Sequence, residues 1–90
     1  MTENTVFIRK AEIMTADMNG DTVMMDIETG KYYNLGSVGG RIWELLESPM
    51  SVDQLADSLI AEYSVTKEQC ISDTLPFLKN LFEHGLVKKI

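Results

Sequence analysis

The chain has 90 residues, 14 acidic against 8 basic side chains, a formal net charge of −6 and 44% hydrophobic residues. That length suits one domain with a modest core and is too short for a deep enzyme cleft with separate substrate and cofactor subsites. The single cysteine excludes an intramolecular disulfide, and the lack of an apolar run of about 20 residues or an early basic-then-apolar segment argues against membrane insertion or export and points to the cytoplasm.

Residues 1 to 10, MTENTVFIRK, carry little pattern and leave open a mobile segment or a fragment of strand. Residues 11–90 read as a single domain with no internal repeat. A weak strand over Glu12 to Asp17 leads to Asn19-Gly20, a turn signal. In Thr22 to Ile27, Val23, Met25 and Ile27 alternate with Met24 and Asp26, the period-two pattern of a half-buried strand. Glu28-Thr29-Gly30 is the next turn, its glycine able to take positive φ. In the following strand, Lys31 to Leu35, Tyr33 and Leu35 alternate with Tyr32 and Asn34. The sum is a three-stranded antiparallel meander whose last strand has no fourth neighbour and therefore one open edge.

After Leu35 the period changes from two to 3.6. Val38, Ile42, Leu45 and Leu46 share one face with Trp43 beside it, and Ser37 is placed as the N-cap. Gly39 and Gly40 in the first turn weaken the helix by about 1 kcal/mol each relative to alanine. Either something packs close to the backbone there or the helix start needs freedom. Ser48-Pro49 ends this helix, and Ser51 with Gln54 forms a capping box for a second, with Val52, Leu55, Ala56, Leu59, Ile60 and Tyr63 inward. Thr66 with Gln69 repeats the start signal for a third helix reaching about His84, with Gly85 as C-cap and Leu86-Val87 as an extended tail.

The third helix carries two apolar stripes, Cys70, Thr74, Phe77 and Leu81, and Ile71, Leu75, Leu78 and Phe82. Two readings stand: both stripes are core, or one borders a groove beside the open strand. Pro76 inside the helix predicts a kink between Ser72 and Pro76. The whole is α+β and winged-helix-like, a three-stranded antiparallel sheet followed by three helices.

Reactive chemistry is sparse. His84 is the only histidine and sits where a protonated ring suits the helix dipole. Cys70 has neither a second cysteine nor a nearby histidine, and reads as a core or groove thiol. Gly36-Ser37-Val38-Gly39-Gly40 lacks the lysine and spacing of a phosphate-binding loop. The methionines are ordinary core filler or an adaptable surface. No metal, cofactor or catalytic residue is assigned, and the chain is read as a non-enzyme.

Strands followed by three helices is also the architecture of a winged-helix DNA-binding regulator. DNA binding needs cations to displace phosphate counterions, yet the would-be recognition helix has Lys67 and Lys79 against Glu68, Asp73 and Glu83. Nucleic-acid binding is therefore rejected and the architecture kept. An acyl-carrier module is rejected as well, because Ser37 lies in Gly-Ser-Val after a hairpin instead of Asp-Ser-Leu in an all-helical chain.

The run Asp26-x-x-x-Gly30-Lys31-Tyr32-Tyr33-x-Leu35, then Gly39, Ile42-Trp43, Leu45-Leu46, Val52-x-x-Leu55, Asp73-x-x-x-Phe77-Leu78-x-x-Leu81 and Gly85-Leu86 resembles the PqqD-like family over about residues 12 to 90. Gly36 stands where many members have Asn, and Thr74 where an aliphatic residue is common. The resemblance implies a leader-peptide recognition element of ribosomal peptide modification. A precursor leader would add as an antiparallel strand to the third strand, with Lys31, Tyr32, Tyr33, Asn34 and Leu35 supplying the edge and Cys70, Asp73, Thr74 and Phe77 bordering a groove. Tyr33 and Leu35 read equally as core supports, and Asp73 as either a solvated charge or an acceptor for a leader Lys, Arg or amide. The partner implied is a separate leader-cleaving cysteine protease in the favoured lasso-peptide setting, or a radical-SAM enzyme if the chain is a PqqD-type chaperone of quinone-cofactor biosynthesis. The oligomeric state is left as a monomer or an edge-paired homodimer.

Overall fold

Asn19 and Gly20 both take positive φ, 58° and 90°, as a two-residue turn requires if its twist is to match the strands it joins. That turn organises the central sheet of the computed structural model, which describes residues 2–90. With an N-terminal strand Val6–Arg9 as β1, the strands flanking the turn are β2 (Ile13–Met18) and β3 (Asp21–Asp26), paired from Met18↔Asp21 to Ile13↔Asp26. β4 (Tyr32–Leu35) lies on the other side of β3, in register Met25↔Tyr32, Met24↔Tyr33 and Val23↔Asn34. The meander runs β2-β3-β4. Among the described residues it has two free edges where the alternation predicts one, because no described strand pairs with the outer side of β2.

Residues 6–9 take the strand form of the two left open for the N-terminus. β1 is the centre of a second antiparallel sheet between β5 (Met50–Ser51) and β6 (Val87–Lys89), in order β5-β1-β6. Phe7 is fully buried in the same core as the helices. The two sheets are joined by charge: Lys10 Nζ lies 3.1 Å from Asp26 Oδ2 and 3.2 Å from Glu28 Oε2. Asp26 is 2% exposed. Burial alone would raise its pKa, but the Lys10 ammonium and the N–H of Glu28 and Thr29 outweigh that and hold the carboxyl below its ordinary range. The Lys10 ammonium is correspondingly raised, first by Asp26 and then by Glu28.

The helices are α1 (Gly36–Leu45), α2 (Val52–Ile60) and α3 (Lys67–Glu83); α1 packs on β3 and β4, and α2 packs on α3. The Ser51–Gln54 capping box is present in both directions, at 3.1 and 2.9 Å. Thr66 accepts from Gln69 N–H, but the Gln69 side chain turns to Asp73 and leaves that box half-made. α1 departs from expectation at its start. Its N-cap is Leu35, without a side-chain cap, and Ser37 lies inside the helix; the Asn34 carboxamide oxygen instead accepts from Gly36 N–H at 2.9 Å. Lys67 bridges α3 to Asp53 and Asp57 of α2, and these carboxylates push its pKa up to about 12.

The paired glycines mark close approach. A Cβ on Gly40 would fall onto Thr22 of β3, within 2.5 Å of its Cβ, and one on Gly39 would lie 3.0 Å from the Phe77 ring. The packed face of α1 is thus centred on Gly39, Gly40 and Trp43, which displaces Val38, expected in the core, to 45% exposure. On α3 the two apolar stripes collapse into one buried line, Cys70, Thr74, Leu78 and Leu81, flanked by half-buried Ile71, Leu75 and Phe77. Phe82 is left 38% exposed with Lys89 Nζ 4.5 Å from its ring centre.

Candidate functional site

The free edge of β4 follows from strand alternation. Asp26 N–H donates to the Lys31 carbonyl at 3.0 Å, so the main-chain groups of Lys31 and Tyr33 face β3, and those of Tyr32 and Asn34 face outward. Among the described residues no strand pairs there. The edge therefore offers an N–H and a C=O from each of Tyr32 and Asn34, in the spacing of an antiparallel partner. Side chains divide the other way: Tyr32 is 72% exposed on the outer face of the sheet, while Tyr33 and Leu35 are half-buried toward α3.

α3 runs beside this edge in the opposite sense. Near its C-terminal end His84 meets the Tyr33 ring edge-on, with centroids 5.8 Å apart and planes at 78°; its Nδ1 is 2.8 Å from the Asn80 carbonyl. Midway, the Phe77 ring and Leu35 Cβ crowd Gly39 from two sides. Toward the N-terminal end of α3, Cys70, Asp73 and Thr74 line a cleft of about 190 Å³ with Val38, Leu59, Tyr63 and Val65. The Cys70 thiol is 3.9 Å from the Thr74 hydroxyl, and Asp73 Oδ1 accepts from Gln69 Nε2 at 2.9 Å at the exposed rim.

The nine residues singled out from the sequence thus lie along one path but in three places. Lys31 to Leu35 form the strip, Phe77 lies against Gly39 beyond its Leu35 end, and Cys70, Asp73 and Thr74 border an apolar cleft with one carboxylate at its mouth. This geometry can hydrogen-bond an extended main chain and accept apolar side chains. It does not assemble a nucleophile and base: Cys70 and His84 sit at opposite ends of one helix, about 21 Å apart at 1.5 Å per residue. Among the described residues no three His, Cys, Asp or Glu side chains gather as a metal site, and no helix is long and apolar enough to cross a membrane.

Sequence reasoning missed three residues of this path. Val38 has helical spacing from Ile42 and so reads as core, whereas the neighbouring glycines are the signal that the packed face lies elsewhere. His84 was read as a helix-end charge, and nothing local to it announces a ring against Tyr33, 51 positions earlier. Val65 carries no periodic signal at all.

Comparison with known proteins places this fold among known ones. The family described as Coenzyme PQQ synthesis protein D (PqqD) matches residues 21–87. The solved structure of TbiB1 in complex with the TbiA(beta) leader peptide is similar at 31% identity, with a TM-score of 0.78, covering 90% of this chain and 94% of that one. A lasso peptide synthetase B1 complexed with its leader peptide is similar at 26% identity, with a TM-score of 0.76, covering 91% and 96%. No curated protein matches the chain. With the family match spanning well over half of the sequence, and with the meander, three helices and winged-helix-like arrangement in place, the chain belongs to the PqqD family.

Proposed function

We propose that this protein is a non-catalytic recognition element that binds the leader segment of a ribosomally made precursor peptide as a fourth strand on β4, in lasso-peptide biosynthesis. The unpaired main chain of Tyr32 and Asn34 beside the α3 groove carries this reading, and both similar structures are leader-peptide complexes. Backbone pairing supplies affinity that tolerates sequence, and the cleft at Cys70, Asp73 and Thr74 selects side chains. Residues 11–90, with β1 built into their core, act as a single peptide-recognition domain in the cytoplasm. Holding the leader raises the effective concentration of the attached core peptide at a partner enzyme, a leader-cleaving cysteine protease on a separate chain. The family's description supports a second reading, a chaperone that serves a radical-SAM enzyme of quinone-cofactor synthesis.

The test is a fluorescence-polarisation titration of labelled leader peptides from precursor genes adjacent to this one. Because the Tyr32 N–H faces the free edge, Tyr32→Pro removes a donor that the fold does not use, and an edge strand tolerates it. Leader binding by the wild type is lost in this variant while circular dichroism and melting stay unchanged. Asp73→Asn weakens binding several-fold without altering the melting temperature, as an exposed rim carboxylate should. Failure of every neighbouring leader to bind overturns the proposal, and binding unaffected by Tyr32→Pro moves it off this edge.

A further inference from the structure

The second free edge, on β2, has its own chemistry. The two-residue turn makes Met18 and Asp21 the closing hydrogen-bonded pair. Ala16–Val23 and Met14–Met25 continue that series, so the main-chain groups of Ile13, Thr15 and Asp17 point away from β3. The Asp26 N–H agrees with this phase: Asp26 stands opposite Ile13 and donates to Lys31, away from β2. β2 is also the longer edge, six residues against four in β4. It contains no Lys, Arg or Pro, and its positions after Ile13 are all exposed. Its one charge, Asp17, is engaged by its own turn, accepting from Gly20 N–H at 3.0 Å.

We propose that β2 is a homodimer edge, on which a second copy of this chain pairs antiparallel about a two-fold axis at Thr15. Five dyads keep outward-facing residues opposite one another, at Ile13, Met14, Thr15, Ala16 and Asp17, and those at Met14 and Ala16 leave Asp17 and Ile13 respectively without a partner in the opposing β2. The dyad at Asp17 sets two carboxylates opposite one another, and the one at Ile13 leaves half the strand unpaired. The dyad at Thr15 pairs Ile13 with Asp17 of the second copy, Thr15 with Thr15, and Asp17 with Ile13. All three outward-facing residues are used. Met14 then stands beside Ala16 on the outer face, and a threonine pair, favourable across strands, sits at the centre. The two Asp17 side chains lie about 14 Å apart at 3.4 Å per residue, beyond the screening length of about 8 Å at physiological salt. On the helix side an open cleft of about 170 Å³, lined by Arg9, Asp17, Trp43 and Glu44 among others, leaves room beside Asp17 for the incoming Ile13. Both β4 edges remain free, at the two ends of a six-stranded sheet. The inference goes beyond leader capture and does not depend on it.

Sedimentation velocity of the full chain over a range of concentrations tests it. The wild type shifts with concentration from 10.1 kDa toward twice that mass. Thr15→Pro removes an outward N–H at the dyad, and Thr15→Lys places two ammonium groups there; each stays monomeric with an unchanged circular-dichroism spectrum, so the lysine variant decides the matter should the proline variant fail to fold. Tyr32→Pro still dimerises. A wild type that is monomeric at every concentration overturns the proposal, as does a dimer that survives both Thr15 substitutions or one that is lost in Tyr32→Pro. Leader titration on the same samples is read separately, so failure of either idea leaves the other measurable.

Discussion

The two three-stranded sheets of this protein are built on opposite plans. β2-β3-β4 is a local meander joined by tight turns, with two bare edges and an outer face that leaves Met14 and Met18 more than half exposed. β5-β1-β6 gathers a strand from near the start, one from the middle and one from the end of the chain around the fully buried Phe7. The two plans divide the labour. The distal sheet ties the chain together and has little surface to offer, while the local meander needs few long-range contacts to form and can leave its hydrogen-bonding groups unpaired for use.

The largest way to break this division is at the tie. Phe7→Ala removes a fully buried aromatic ring and is expected to cost about 3–5 kcal/mol, lowering the denaturation midpoint and with it every activity of the molecule. If peptide binding survives with an unchanged midpoint, the meander is independent of the distal sheet and the comparison fails. A smaller effect is expected at the joint between meander and helix. Gly40→Ala drives a methyl group into Thr22, an overpacking cost of about 1–3 kcal/mol, read as a lowered melting temperature; Thr22→Gly in the same chain restores part of it by clearing the space.

The mildest test addresses the ion pair that links the sheets. The folded-state pKa of Asp26 is lowered, so its stabilising contribution is complete above the ordinary value of 3.8 and is lost as pH falls through the folded value. Lys10 has a raised pKa, so its contribution is complete below 10.5 and is lost as pH rises past that toward its folded value. Between those limits stability is flat with respect to this pair. Asp26→Asn lowers the melting temperature across that plateau and flattens the acid limb in a pH series of thermal melts. A variant with the wild-type acid limb shows that other carboxylates set it.

The same division explains what could be read from the amino acids. Asn19-Gly20, the Tyr32–Leu35 alternation and the Ser51 capping box are local signals, and each landed on its element because turn and cap chemistry is decided within a few residues; Gly85 takes the positive φ of a helix stop but sits one residue past the C-cap, which is His84. The distal sheet was not legible. β5 has two residues and β6 three, too short for a period, and β1 becomes a strand through partners more than 40 positions away. At the candidate site the strand β4 was visible from alternation, while the apolar stripes of α3 left core and groove undecided. The exposure of Val38 and the approach of His84 to Tyr33 were not, since both depend on where α1 and α3 come to rest once Gly39 and Gly40 let Phe77 and Thr22 in.

One consequence of β4 running without a linker into α1 concerns direction. A guest strand antiparallel to β4 enters with its N-terminal end at the start of α1, beside Val38 and the cleft, and travels back toward the turn at Gly30. On the proposed reading, whatever follows the leader is therefore discharged beside the Glu28-Thr29-Gly30 turn, at the corner where Lys10 donates to Glu28, about 14 Å from the point of entry at 3.4 Å per residue. An enzyme waiting for the core peptide has to stand at that corner, so the polarity of a four-residue strand decides which end of the molecule is its exit.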